Sequence, residues 1–158
     1  MSELHEFVKE ISNMVTELFN KNHEIFPMYH FINRKGEHMI TPPPILKEEH
    51  EDKKGMQLAI IREFIKEKDI VRYCFFDEAW MAVLEPKEEY VKPEQHPQRR
   101  EIILFNAEDE NLGQITATRD IIRPVNASPC LGPLQFDTLG GLLSGRMVGM
   151  LPPKGTAQ

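Results

Sequence analysis

The chain has 158 residues, 41% of them hydrophobic, with 19 basic and 25 acidic side chains and a formal net charge of -6. That length suits one domain, residues 1–151 with a frayed tail over 152–158, that buries roughly two thirds of its unfolded surface, so neither disulfides nor a structural metal is required. The acidic excess is spread along the chain, and the short basic stretch Gln98-Arg99-Arg100 sits between Glu94 and Glu101, which argues against nucleic acid as a partner.

The first periodic segment places Leu4, Phe7, Val8, Ile11, Met14, Val15, Leu18 and Phe19 at helical spacing, with Ser2 as N-cap and Glu3 and Glu6 in the first turn. Asn20, Lys21 and Asn22 end it. Glu3, Glu6, Lys9, Glu10 and Glu17 interrupt any signal-peptide core, and no apolar run approaches the ~20 residues a membrane span needs, so a cytoplasmic protein without a membrane partner is expected.

From Ile25 to Thr41 the period becomes two, and Asn33-Arg34-Lys35-Gly36 reads as a hairpin loop with a left-handed glycine. Pairing Ile32 with His38 and His30 with Ile40 puts Tyr29, Phe31 and Met39 on one face and His30, Ile32, His38 and Ile40 on the other. Both faces are partly apolar, so both are expected to be covered, one by a helix and the other by a neighbouring element or a second subunit. Pro42 to Pro44 end the hairpin as a stiff spacer.

Leu46 to Lys68 predicts a second helix, charged at first and amphipathic later, with a break or late start at Gly55, which costs about 1 kcal/mol relative to alanine. Ile70 to Leu84 is the most apolar strand and belongs in the middle of the sheet. A proline-bearing loop over Glu85 to Gln98 leads to two more strands, Arg100 to Ala107 and Leu112 to Arg123, joined by a tight turn at Asp109, Glu110 and Asn111. Asn126 to Pro133 reads as a loop. Leu134 to Leu151 is apolar but glycine-rich, either irregular or a packed element.

Several polar groups sit against this pattern. Asp77 and Glu78 lie in the most apolar strand, where a strand bulge and a neighbouring arginine, Arg100, Arg119 or Arg123, are expected to accommodate one buried acid, and where either acid is a candidate general base. His30 and His38 fall diagonally on one face, a candidate metal pair that lacks a third ligand unless Glu78 or His96 supplies it; no metal is expected. His96, Arg99 and Arg100, with Arg119 and Arg123, are the candidate ligand-binding set for an anion. Cys74 reads as buried filler and Cys130 as a loop thiol, a pattern that fits a reducing compartment.

No phosphate loop, dinucleotide fingerprint, nucleophile elbow or H-E-x-x-H helix is present, and no cofactor is expected. The order helix, hairpin, helix, three-strand meander over Ser2 to Arg123 makes an α+β fold, an antiparallel sheet packed by two helices. That order resembles the PAS, GAF, roadblock and profilin-like group, a likeness of element order that carries over no residues. The expected function is a non-catalytic ligand-binding or self-associating domain. The alternative is a small metal-dependent or acid/base hydrolase using Glu78 or Asp77 with nearby histidines.

Overall fold

The computed structural model describes residues 2–44, 53–82, 89, 91–136 and 142–143. The first helix, α1, runs Glu3–Asn22 and begins where the Ser2 hydroxyl accepts the His5 N–H at 3.3 Å. At its other end a left-handed His23 donates its N–H to Phe19 O. Leu4, Phe7, Val8, Ile11, Val15 and Phe19 form the buried stripe that the spacing predicts, and Ser12 is its one polar member.

Strands β1 (Met28–Asn33) and β2 (His38–Thr41) form the hairpin in the expected register, with Ile32 opposite His38 and His30 opposite Ile40. The turn holds because Asn33 Oδ1 accepts N–H groups from Lys35 at 3.0 Å and Glu37 at 2.8 Å, while Gly36 takes a φ of 82°. Helix α2 spans Lys53–Glu67 and runs through Gly55 without a break; residues 46–52 of the expected helix, most of its charged part, lie outside the described residues. The Gln57 side-chain amide donates to Pro44 O at 2.8 Å, tying the proline spacer to this helix.

Strands β3 (Ile70–Ala82), β4 (Arg100–Asp109) and β5 (Gly113–Ile122) make the antiparallel meander. Asp109 Oδ1 closes the β4–β5 turn by accepting from Asn111 and Leu112 N–H groups at 2.8 and 3.1 Å. A short 3-10 turn, Pro93–Gln95, packs against β3. Two-residue strands follow: β6 (Cys130–Leu131), β7 (Gln135–Phe136) and β8 (Leu142–Leu143). The sheet order is β2-β1-β3-β4-β5-β6, with β7 also on β5 and β8 on the far end of β3.

The stretch expected as a loop therefore carries β6, because Cys130 and Leu131 extend the ladder of Ile121 and Ile122. Cys130 is an exposed strand residue instead of a loop thiol, whereas Cys74 is fully buried and its thiol is pushed above its ordinary pKa by that burial. Most of the glycine-rich segment, residues 137–141 and 144–151, and the tail, 152–158, lie outside the described residues. Among the described residues no helix is long and apolar enough to cross a membrane.

The core has two halves separated by the sheet. On one face α1 packs on Cys74, Phe76, Ile103, Phe105, Ala107, Ala117 and Ile121; on the other, Ile61 and Ile65 of α2 pack on Tyr29, Phe31, Tyr73 and Phe75. Alternation along β3 dictates this division, since successive side chains point to opposite faces. Both faces of β1 are thus covered from within the chain, whereas His38 and Ile40 of β2 stay exposed, so the expected cover of that face is incomplete. Truncating a fully buried aromatic that joins helix to sheet leaves a cavity the neighbours cannot refill. Phe76→Ala is expected to lower stability by about 3–5 kcal/mol in urea unfolding with little change in slope, and a loss under about 1 kcal/mol contradicts the core described.

Candidate functional site

The acids of β3 are not buried as expected. The β3–β4 register runs without a break through Asp77↔Leu104 and Glu78↔Ile103, so no bulge separates them, and both are half-buried. The reason is length. Thirteen strand residues reach about 43 Å, whereas the twenty residues of α1 reach about 30 Å and the fifteen of α2 about 23 Å, so β3 is longer than the helix on either face. Glu78 Oε2 accepts the Ile25 N–H at 2.6 Å, anchoring the chain that returns from α1, and Asp77 Oδ1 accepts the Glu78 N–H at 2.8 Å.

Nor do the expected arginines bind these acids. Arg100 pairs with Asp120 at 2.7 Å and Arg123 with Glu101 at 2.7 Å, and Glu78 influences Arg123 through space alone. Arg99 lies over the Trp80 ring, 5.0 Å from its centroid. His96, expected in a solvated loop, is buried, its Nδ1 accepting the Gln98 N–H at 3.0 Å. The sequence-based ligand set of His96, Arg99, Arg100, Arg119 and Arg123 is therefore dispersed: Arg100 and Arg123 are neutralised by carboxylates, and His96 faces inward.

His30 and His38 do meet. Their Nε2 and Nδ1 atoms lie 2.7 Å apart beside Phe7, whose ring meets His30 edge-on. Glu78 and His96 are not with them, and the described residues contain no group of three or more His, Cys, Asp or Glu side chains able to hold a metal. His30 Nδ1 is buried with no partner. A bare lone pair is tolerated there more readily than an N–H, so the tautomer that fits has His30 Nε2–H donating to His38. Adding a proton to the pair then either puts an N–H on the buried Nδ1 or breaks the bond.

Burial, and then the charge of His38, hold the His30 imidazole below its ordinary pKa. The folded state binds the proton less readily than the unfolded chain. Stability is therefore full above the ordinary histidine value of roughly 6.5 and falls as pH drops through it, by less than about 1.4 kcal/mol per pH unit. Chemical denaturation between pH 8 and 5 is expected to show this decline, with His30→Asn flattening it; an unchanged decline in the variant rules the pair out as its source.

Arg119 is the residue the sequence reading undervalued. In β5 it occupies the parity of Ile115, Ala117 and Ile121, the face that packs on α1. Opposite it the sheet margin is irregular: the register advances by one residue between Ile121↔Leu131 and Thr118↔Gln135, leaving an extra residue at Pro133 and Leu134. Pro133 has no N–H for the ladder, so the strand pairing opens there. The Arg119 guanidinium enters this opening.

It is held by neutral acceptors. Nε donates to Gly132 O at 2.7 Å, and Nη1 donates to Ser12 O at 3.3 Å, Ser12 Oγ at 3.2 Å and Thr16 Oγ1. Thr16 Oγ1 in turn donates to Ser12 O at 2.9 Å. Nη2 has no acceptor among the described residues, and desolvation alone shifts the group, lowering its pKa. The contrast with Arg34, Arg72, Arg100 and Arg123 is clear, since each of those binds at least one carboxylate.

Arg119 lines an open groove of about 460 Å³ with Lys9, Ser12, Asn13, Thr16, Leu134 and Phe136. No acid is among these side chains. On the other flank of α1 a second cleft of about 360 Å³ has Glu3, Glu6 and Glu10 against His38 and Arg72. One helix thus separates a cationic groove from an acidic one. No family model matches the chain, and no curated protein or solved structure matches it.

Proposed function

We propose that the chain is a non-catalytic ligand-binding domain whose site is the cationic groove between α1 and the β5–β7 margin, and that its ligand carries a negative charge. The observation that carries this reading is the Arg119 guanidinium, held at two of its three nitrogens by neutral oxygens and bound to no carboxylate among the described residues. A half-buried cation held by neutral groups alone gives up hydration that an opposite charge would restore. A structural pin between Ser12 and Gly132 needs hydrogen bonds but no net charge. In a chain of net charge -6, a groove whose described lining has Lys9 and Arg119 and no acid is a selective place for an anion.

Binding is favoured over chemistry because the one amine in the described lining, Lys9, is paired with Glu6 at 3.6 Å. Among the described residues the lining holds no histidine, cysteine, aspartate or glutamate, and the Ser12 and Thr16 hydroxyls are engaged by Arg119 and within their own helical turn. The hydrolase alternative has little support: Glu78 caps a backbone amide far along the sheet from the paired histidines, and His96 is turned inward.

Titration with acetate, sulfate and inorganic phosphate, followed by amide NMR, tests the reading. Shifts are expected to centre on Ser12, Thr16 and Arg119, with millimolar affinity of about -4 kcal/mol that weakens as salt rises. Asn13 is exposed, so Asn13→Asp supplies an internal carboxylate without disturbing the core and is expected to weaken binding at least fivefold. Absence of shifts at these residues with every anion, or binding indifferent to Asn13→Asp, overturns the proposal.

A further inference from the structure

Building on that reading, we infer that the groove takes a carboxylate attached to an apolar body, and discriminates against phosphate. Three observations converge. The first is the number of donors left. Nε and Nη1 of Arg119 are occupied by Gly132, Ser12 and Thr16, so the guanidinium presents the two N–H groups of Nη2 and little else. Lys9 Nζ stands 3.6 Å from Glu6, already partly neutralised. A phosphate dianion is normally met by several cations or by a cluster of backbone N–H groups at a helix start. Here the groove lies beside the middle of α1, at residues 9–16, where the helix has no free N–H to offer.

The second observation is the other wall. Leu134 and Phe136, both half-buried, close the groove on the β7 side, and Phe136 is braced by the His5 ring at a centroid distance of 4.6 Å. The strand irregularity that admits Arg119 is also what sets Leu134 beside it, since Leu134 belongs to the three residues, 132–134, that face only two of β5. Cation and apolar wall are thus products of the same local geometry. The third is size: about 460 Å³ greatly exceeds one carboxylate and falls in the range of small-molecule sites, roughly 300–1,000 Å³. A ligand with a single charge and a ring or short alkyl chain uses the space, the Nη2 donors and the wall together.

This chemistry has two natural sources, a free organic acid or the terminal carboxylate of a peptide with an apolar last residue. Isothermal titration with acetate, 4-phenylbutyrate, 4-phenylbutyramide and inorganic phosphate tests the class. 4-Phenylbutyrate is expected to bind at least tenfold more tightly than acetate and more tightly than phosphate, and the amide is expected not to bind measurably. Leu134→Ser is expected to bring 4-phenylbutyrate most of the way down toward acetate while acetate still binds, a change of ratio that general unfolding does not produce.

Phosphate binding more tightly than 4-phenylbutyrate, or acetate matching it, overturns this inference while the anion-site reading survives. Failure of every anion to bind removes both. Acetyl-Ala-Ala-Phe as free acid and as amide distinguishes the sources: a free-acid peptide binding as tightly as 4-phenylbutyrate supports the class with a chain terminus as ligand, and a peptide excluded while 4-phenylbutyrate binds supports it with a small acid.

Discussion

The burial of β3 on both faces is the constraint from which the rest of the fold follows. Between Tyr73 and Phe76 its side chains alternate between two dry environments, Cys74 and Phe76 beneath α1 and Tyr73 and Phe75 beneath α2. Each such side chain contributes roughly 1.5–3 kcal/mol when fully removed from water, so no face can be left open. The backbone between them must also be satisfied, which β1 and β4 do from either side. Two helices on opposite faces and a hairpin and meander on opposite edges are the arrangement that meets both demands.

The position of α1 then decides where polar chemistry collects. Its stripe faces the sheet, and its two flanks overhang different strands. Over β1 and β2 the flank carries Glu3, Glu6 and Glu10, with Glu3 bound to Arg72 at 3.1 Å and the histidine pair below. Over β5 it carries Lys9, Ser12 and Thr16, and Arg119 rises to meet them. The arginine joins helix, strand and the Gly132 carbonyl, with no acceptor for Nη2 among the described residues. Fold and proposed site share that residue.

Much of the fold is legible in the residues. The hairpin register follows from period-two alternation and from the turn chemistry of Asn33 and Gly36, and α1 follows from its spacing and its Ser2 cap. The acids of β3 mislead because apolar composition says nothing about where the covering helix ends. The groove is hidden for a related reason: it depends on residues 130–136 returning along β5 with one extra residue, and two-residue strands have too few positions to show a period. One signal was available. Along Ile115, Ala117, Arg119 and Ile121, a cation stands in the parity of the core. Such a break in alternation marks either a structural pin or a candidate site.

Native-state hydrogen exchange measures the central claim, that β3 lies sealed between two helices, most directly. Amides of Tyr73 to Phe76 are expected to exchange only through global unfolding, with protection equal to the free energy from denaturant melts and above that of the exposed end near Trp80. Exchange of those amides at the rates of the turn around Lys35, or protection lost from one face's helix without effect on the strand, contradicts the account.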